Sequence, residues 1–270
     1  MSREQFMNIE LTDTLDSREN QLTWLTSSLS KSEDLITIEE KISKDPNNPE
    51  LRIEKGLELC KSQSFKQAID AYSEAIYLNP FHALAYRHRG HRHLSIRMYR
   101  EAAADFELSS RIDPSNWDTW YHLGLSYYLL QEYERAERVY KICYDMTDSD
   151  ELFVAIADWY WMTLVKNNKK KEADDLLALV TEDMKPGPNT SYYRRLLMYK
   201  GLLNPDELIN FEGALLPDLE LATQGYGLGF YYLTQGDEEK AKQMFNDVIT
   251  KSTMWSAFGY LASEIELDIV

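Results

Sequence analysis

The sequence predicts an all-α fold, a right-handed superhelical solenoid of antiparallel helix pairs, and three observations carry that prediction. Gly56, Gly90 and Gly124 lie 34 residues apart, as do Ala68, Ala102 and Ala136, and as do Tyr72, Phe106 and Tyr140. Pro46, Pro80 and Pro114 punctuate the chain at the same interval. Within a period, apolar residues recur every three or four positions: Trp120, Leu123, Tyr127 and Leu130, then, after a turn at 131–133, Ala136, Val139, Tyr140 and Cys143. A shared period of this length with helical spacing inside it describes stacked helical hairpins, each too small to bury its own stripe.

The elements follow in order. Residues 1–14 are polar and acidic without periodicity and read as a flexible leader. The stretch 15–48 has two stripes, Leu22, Leu25, Leu29 and then Leu35, Ile38, Ile42, but lacks the glycine and the alanine, as a degenerate N-terminal repeat does. Asp45-Pro-Asn-Asn-Pro49 is a turn. Residues 49–150 form three clear units, 49–82, 83–116 and 117–150. In each, the glycine and the alanine mark where the two helices cross closely, since a larger side chain would push them apart.

The frame then slips. Gly124 and Gly229 are 105 residues apart, three periods plus three, which one three-residue insertion near 147–150 explains. Two degenerate repeats fill 151–221. Trp161 stands in the glycine position of the first; Tyr192 to Tyr199 and Pro205 to Phe211 are the long and short helices of the second. A C-terminal unit at 222–255 carries Tyr232, Ala241, Phe245 and Val248, and the segment 256–270 supplies a closing helix, running to about Leu267, and a tail.

The run Trp120-Tyr-His-Leu123-Gly124-Leu-Ser-Tyr127, followed by Ala136 and Tyr140, resembles the tetratricopeptide repeat (TPR). The layout over 49–267 is also similar to the bacterial new-lipoprotein-I class of TPR proteins. It matches at Trp159-Tyr-Trp161-Met, Lys171-Glu172-Ala173-Asp174 and Leu228-Gly-Phe-Tyr-Tyr-Leu-Thr-Gln-Gly-Asp237. That resemblance implies a non-enzymatic adaptor, often dimeric, that brings hydrolases or proteases to partner complexes. The chain has no early cysteine for lipid attachment, so an envelope location is not implied. TPRs that clamp chaperone C-termini carry lysine and asparagine at fixed inner positions; Ile53 and Leu57 stand where that pattern begins.

Composition narrows the function. With 45 Asp+Glu against 29 Lys+Arg, a net charge of −16, the chain lacks the basic footprint that nucleic acid or an anionic membrane requires. Neither is expected as a partner. Cys60 and Cys143 fall on helix stripes in different repeat frames and read as buried thiols, not a disulfide. With Met1 as the native start, no signal peptide and no apolar run of membrane length, a cytoplasmic protein is expected. No nucleophile–base spacing, phosphate loop or metal set is evident, so no catalysis, cofactor or metal is expected.

In a TPR superhelix the first helix of each unit lines the concave face, with inner positions six and three residues before the glycine and one, four and five after it. The first clear unit offers Ile53, Leu57 and Cys60; the second offers Leu84, Arg87, His91 and Leu94; the third offers Tyr121, Leu125 and Tyr128. The degenerate pair adds Asp158, Tyr192 and Tyr199, and the last unit Tyr226 and Phe230. Tyrosine gives contact area at low entropic cost and keeps a hydrogen-bonding tip. The run Tyr86-Arg-His-Arg-Gly-His-Arg-His93, with Arg97 and Arg100, concentrates five arginines in 87–100. A local basic face in an acidic chain predicts an anionic group on a protein or peptide partner, held by Arg87 and His91 beside Tyr121 and Tyr128. Two other readings stand beside this one: ion pairing of the basic run with acidic second helices that include Asp105 and Glu107, and a groove that is an interface in a homodimer.

Overall fold

The computed structural model describes residues 31–209 and 215–269, and among these every regular element is a helix. The expected leader, the first stripe of the N-terminal repeat and Phe211 lie outside the described residues. The chain divides into two compact units, residues 1–96 and 97–270, at a boundary inside the second clear repeat.

Unit 1 contains α1 (Glu33–Lys44), α2 (Pro49–Lys61), α3 (Phe65–Leu78) and α4 (Ala83–Ser95). Its helix starts are written locally. Ser32 caps α1 by accepting a hydrogen bond from the Leu35 amide at 3.1 Å, and Asn48 caps α2 with Pro49 in the first helical position. Between α3 and α4, the Asn79 side chain accepts from the Phe81 amide at 3.1 Å, the Asx turn that a proline at position 80 favours. Gly56 on α2 faces the Tyr72 ring on α3, where a Cβ would collide with it. Leu35, Ile53, Leu59, Ala68, Ala71, Tyr72, Ala75 and Ala85 close around that crossing as one core.

Unit 2 contains α5 (Tyr99–Ile112), α6 (Trp117–Leu129), α7 (Tyr133–Asp145), α8 (Asp150–Lys166), α9 (Lys170–Ala178), a 3-10 turn (Gly187–Asn189), α10 (Thr190–Tyr199) and α11 (Pro205–Leu208). These are followed by α12 (Pro217–Thr234), α13 (Glu238–Lys251) and α14 (Phe258–Glu266). Gly124 meets the Tyr140 ring, and Gly229 meets the Phe245 ring, as Gly56 meets Tyr72. The turn joining the two helices of a unit has its own period: Gln63, Arg97, Gln131, Asn168 and Gly236 all have positive φ, between 57° and 74°. At four of these turns the amide that follows bonds back across the helix end: Ser64 to Leu59 O, Glu132 to Tyr127 O, Lys169 to Leu164 O and Asp237 to Tyr232 O, at 2.9–3.0 Å. This is the Schellman closure.

The later repeats differ from the clear ones in physical ways. α8 is 17 residues long against 13 for α2, α4 and α6, so the chain after Thr147 enters the helix early instead of looping out. The glycine positions hold Trp161 and, 34 residues on, Arg195. Both side chains are buried and replace the close helix crossing with side-chain contacts. Trp161 stacks on Tyr199 at 4.1 Å, and Arg195 lies against Gly227, where a Cβ would clash with it. α12 begins at Pro217 and has 18 residues.

Candidate functional site

The positions expected to face inward lie on the first helix of each repeat, and the two units treat them differently. In unit 1, Leu57 on α2 and Leu84 on α4 remain 44% and 43% exposed. Glu50 and His82 join the starts of α2 and α4, with 2.7 Å between Oε1 and Nε2. Arg87 and His91 lie one turn apart on α4 and are half-buried, and His91 contacts Arg92. Three others of the basic run turn toward α3: Arg89 donates to Ser73 Oγ at 3.0 Å, Arg92 covers the Phe65 ring at 4.7 Å, and His88 stacks on Tyr72 at 5.5 Å. Leu94 is buried.

A cavity of about 570 Å³ also opens beside α1, α2 and α3. Its lysines are engaged locally, Lys31 and Lys55 with Glu39 and Lys61 with Glu58.

In unit 2 the inner positions are the interior. Tyr121, Leu125, Tyr128, Tyr226 and Phe230 are all buried. The Tyr128 and Tyr226 hydroxyls meet at 2.6 Å, the Tyr226 ring stacks on Trp159 at 5.7 Å, and Phe230 sets its edge to Trp161 at 5.8 Å. Tyr192 and Tyr199 are half-buried. The open tyrosine groove read from the repeat pattern is therefore corrected here, because α10 and α14 pack onto the faces that the pattern leaves free.

α10 contributes Arg195, fully buried, with Nη2 3.0 Å from Asp158 Oδ2 on α8. Its guanidinium also approaches the rings of Trp159, Tyr192 and Tyr226 at 5.6–5.7 Å, and its Nε donates to Tyr199 Oη at 3.2 Å. The Arg195–Asp158 contact is an ion pair by distance only. Its orientation makes no hydrogen bond, and both Asp158 oxygens are buried without one. Burial accordingly pushes the Asp158 carboxyl up to about 7, against the lowering pull of Arg195.

α14 contributes acid. Glu264, fully buried, accepts from Arg97 Nε and Nη2 at 3.1 Å each, and Arg97 Nη2 also donates to Trp255 O at 2.9 Å. Glu266 pairs with Lys166 of α8 at 2.8 Å and accepts from Tyr226 Oη at 3.4 Å. Phe258 sets its edge to His122 of α6. The partner of Arg97 is thus Glu264 from the far end of the chain. Glu107, which the alternative ion-pairing reading named with Asp105, pairs with Arg135 at 2.8 Å.

Arg195, Lys166 and the α14 glutamates escaped the sequence reading. The one available signal was Arg195 itself, a charge in the frame of the repeat's glycine. Among the described residues no group of three or more His, Cys, Asp or Glu side chains could hold a metal, and no helix is long and apolar enough to cross a membrane.

Two stretches each match a family model described as tetratricopeptide repeat, residues 118–150 one model and 225–252 another. The chain is 27% identical over 150 residues, 54% of its length, to the small glutamine-rich tetratricopeptide repeat-containing protein 2 of Saccharomyces cerevisiae. It is 31% identical over 97 residues, 36% of its length, to the Hsp70-Hsp90 organizing protein of Triticum aestivum. It spans 42% and 17% of those proteins. Among solved structures it is similar to YrrB, a TPR protein, at a TM-score of 0.51 and 18% identity, covering 84% of this chain and 97% of that one. It is also similar to a MamA double mutant, at 0.50 and 19%, covering 73% and 95%. These identities bear on the fold alone. With the 34-residue period, the glycine–aromatic crossings and the two matched stretches together, the chain carries tetratricopeptide repeats and folds as a solenoid of the TPR kind.

Proposed function

We propose that this chain is a non-enzymatic adaptor whose inner face in unit 1 takes a segment of a protein partner that carries an anionic group beside an apolar side chain. The reading rests on exposed Leu57 on α2 and Leu84 on α4 together with Arg87 and His91, one turn apart on α4. Exposed leucines offer an apolar contact to a partner side chain, and arginine is well suited to a carboxylate. Similarity to the yeast and wheat proteins favours protein binding over catalysis. The wheat protein's name couples it to Hsp70 and Hsp90. Here Ile53 and Leu57 stand where the chaperone-tail clamp begins, so the proposed ligand is an acidic-apolar segment without a fixed C-terminal carboxylate.

Random peptides displayed on phage and panned on the full chain test this. Enriched peptides should carry Asp or Glu near a large apolar residue, bind more weakly as salt rises, and lose binding to the Arg87→Glu/His91→Glu variant. Enrichment of neutral or basic peptides, or equal binding by the variant, overturns the proposal.

A further inference from the structure

We infer that the outer face of α3 and the turn after it form a separate docking surface, for a basic segment of a protein partner that sets lysine or arginine beside an apolar side chain. α3 has two opposed faces. Ala68, Tyr72 and Ala75 are buried in the core of unit 1; Asp70, Glu74 and Tyr77, each two positions on and so about 200° round the helix, are exposed. Tyr77 is 85% exposed and Phe81, in the turn, is 79% exposed; they are the only exposed aromatic rings among the described residues. The repeat does not call for either ring: the same places hold Ser43 and Asn47 one period earlier, and Arg111 and Ser115 one period later. Phe81 also stands on a fixed backbone, because Pro80 precedes it and its amide donates to the Asn79 side chain. Charge selects the occupant. Glu74 holds Arg52 at 2.8 Å and is still 56% exposed. α3 has no basic residue in its last turn, so its carbonyl end adds negative character beside Tyr77. Asp70 and Glu74 also line the cavity beside α1, α2 and α3, whose lysines are held by Glu39 and Glu58. Aromatic rings next to carboxylates suit a cation on an alkyl stem: the ring face attracts the charge, the stem lies on apolar surface, and the carboxylate completes the pair. A second copy would set acid against acid in a chain of net charge −16. Two rings also offer only roughly 300 Å², against the ~800 Å² per partner of a stable dimer. An anionic membrane meets the same repulsion. This surface differs from the Arg87/His91 face in place and in sign, so either can fail without the other.

Random peptides displayed on phage, panned on the full chain and counterselected on Tyr77→Ser/Phe81→Ser, test the inference. Serine stands at each of these places in a sister turn, so the variant should keep the wild-type circular dichroism and melting temperature. Asp70→Lys/Glu74→Lys, at two exposed positions, is a second variant that leaves both rings in place. Peptides that survive counterselection should carry lysine or arginine next to a large apolar residue. They should bind wild type at least tenfold more tightly than either variant, and bind Arg87→Glu/His91→Glu as well as they bind wild type. No survivors, survivors without basic residues, or binding lost in Arg87→Glu/His91→Glu overturns the inference. Sedimentation of the wild type and its binding to phosphatidylserine vesicles read the other occupants. A monomer that ignores the vesicles is expected; a dimer, or vesicle binding, that Tyr77→Ser/Phe81→Ser abolishes overturns the inference.

Discussion

Replacing Arg195 by Met removes the guanidinium but keeps most of its volume against Gly227, Trp159 and Tyr226. Asp158 is then left fully buried with no counter-charge, and both of its oxygens already lack hydrogen bonds. Where Asp158 is charged, above its value of about 7, removing its partner from a buried pair costs about 3–5 kcal/mol. For a unit of this size each kcal/mol lowers the melting temperature by roughly 2–4 °C, so a fall of about 6–20 °C is expected. Asp158→Leu/Arg195→Met, which removes both charges, should recover most of the loss. The sign with pH follows from Asp158. Its folded-state carboxyl lies above the ordinary 3.8, at about 7, so between these values the folded chain holds a proton that the unfolded chain has released. The stability this group contributes is full below about pH 4, falls as pH rises, and is gone above about 7, a span of at most ~4 kcal/mol. Urea unfolding followed through Trp159 and Trp161, at pH 5 and pH 8, measures both effects. A loss under 1 kcal/mol in Arg195→Met at pH 8, or the same pH dependence in Asp158→Asn as in wild type, would refute this account of the buried pair.

Three further outcomes follow from the packing. Gly124→Ala drives a Cβ into the Tyr140 ring and should cost about 1–3 kcal/mol by urea unfolding, despite the better helix propensity of alanine. Gln131→Gly relieves a left-handed residue at a solvent-facing turn, φ 59°, and should raise stability by up to about 1 kcal/mol; a loss would mean the Gln131 side chain is doing something the turn does not show. Both cysteines are free thiols. Half-buried Cys60 should react with a thiol reagent in the native state, whereas Cys143 is buried, its thiol pushed well up by burial, and should react only on unfolding.

The period was legible because the close crossings demand it. Gly56, Gly124 and Gly229 are each the only residue that fits under the facing aromatic ring, so spacing in the sequence reports spacing in space. The second helices start three residues before Ala68, Ala136, Ala173 and Ala241 alike, which is why the frame could be followed through the slip. Exposure was not legible. Repeat position tells which way Tyr128 or Tyr226 points, but not that α14, distant in sequence, will lie against it. Arg97 shows the same limit: its neighbours make it part of a basic cluster, and only the tertiary fold gives it to Glu264. Leu57 and Leu84 read as ordinary inner positions, and their exposure in unit 1 emerges only once α2, α3 and α4 are packed.

The central claim is that one inner face is accessible and the other is filled by the chain itself. Hydroxyl-radical footprinting of the native full chain, read residue by residue by mass spectrometry, tests it most directly. Leu57 and Leu84 should be modified in the native state, while Tyr128, Tyr226 and Phe230 should resist modification until the chain unfolds, although tyrosine and phenylalanine are intrinsically reactive. Native-state labelling of Tyr128 and Tyr226 comparable to that of the unfolded chain, or protection of both leucines, would contradict the account.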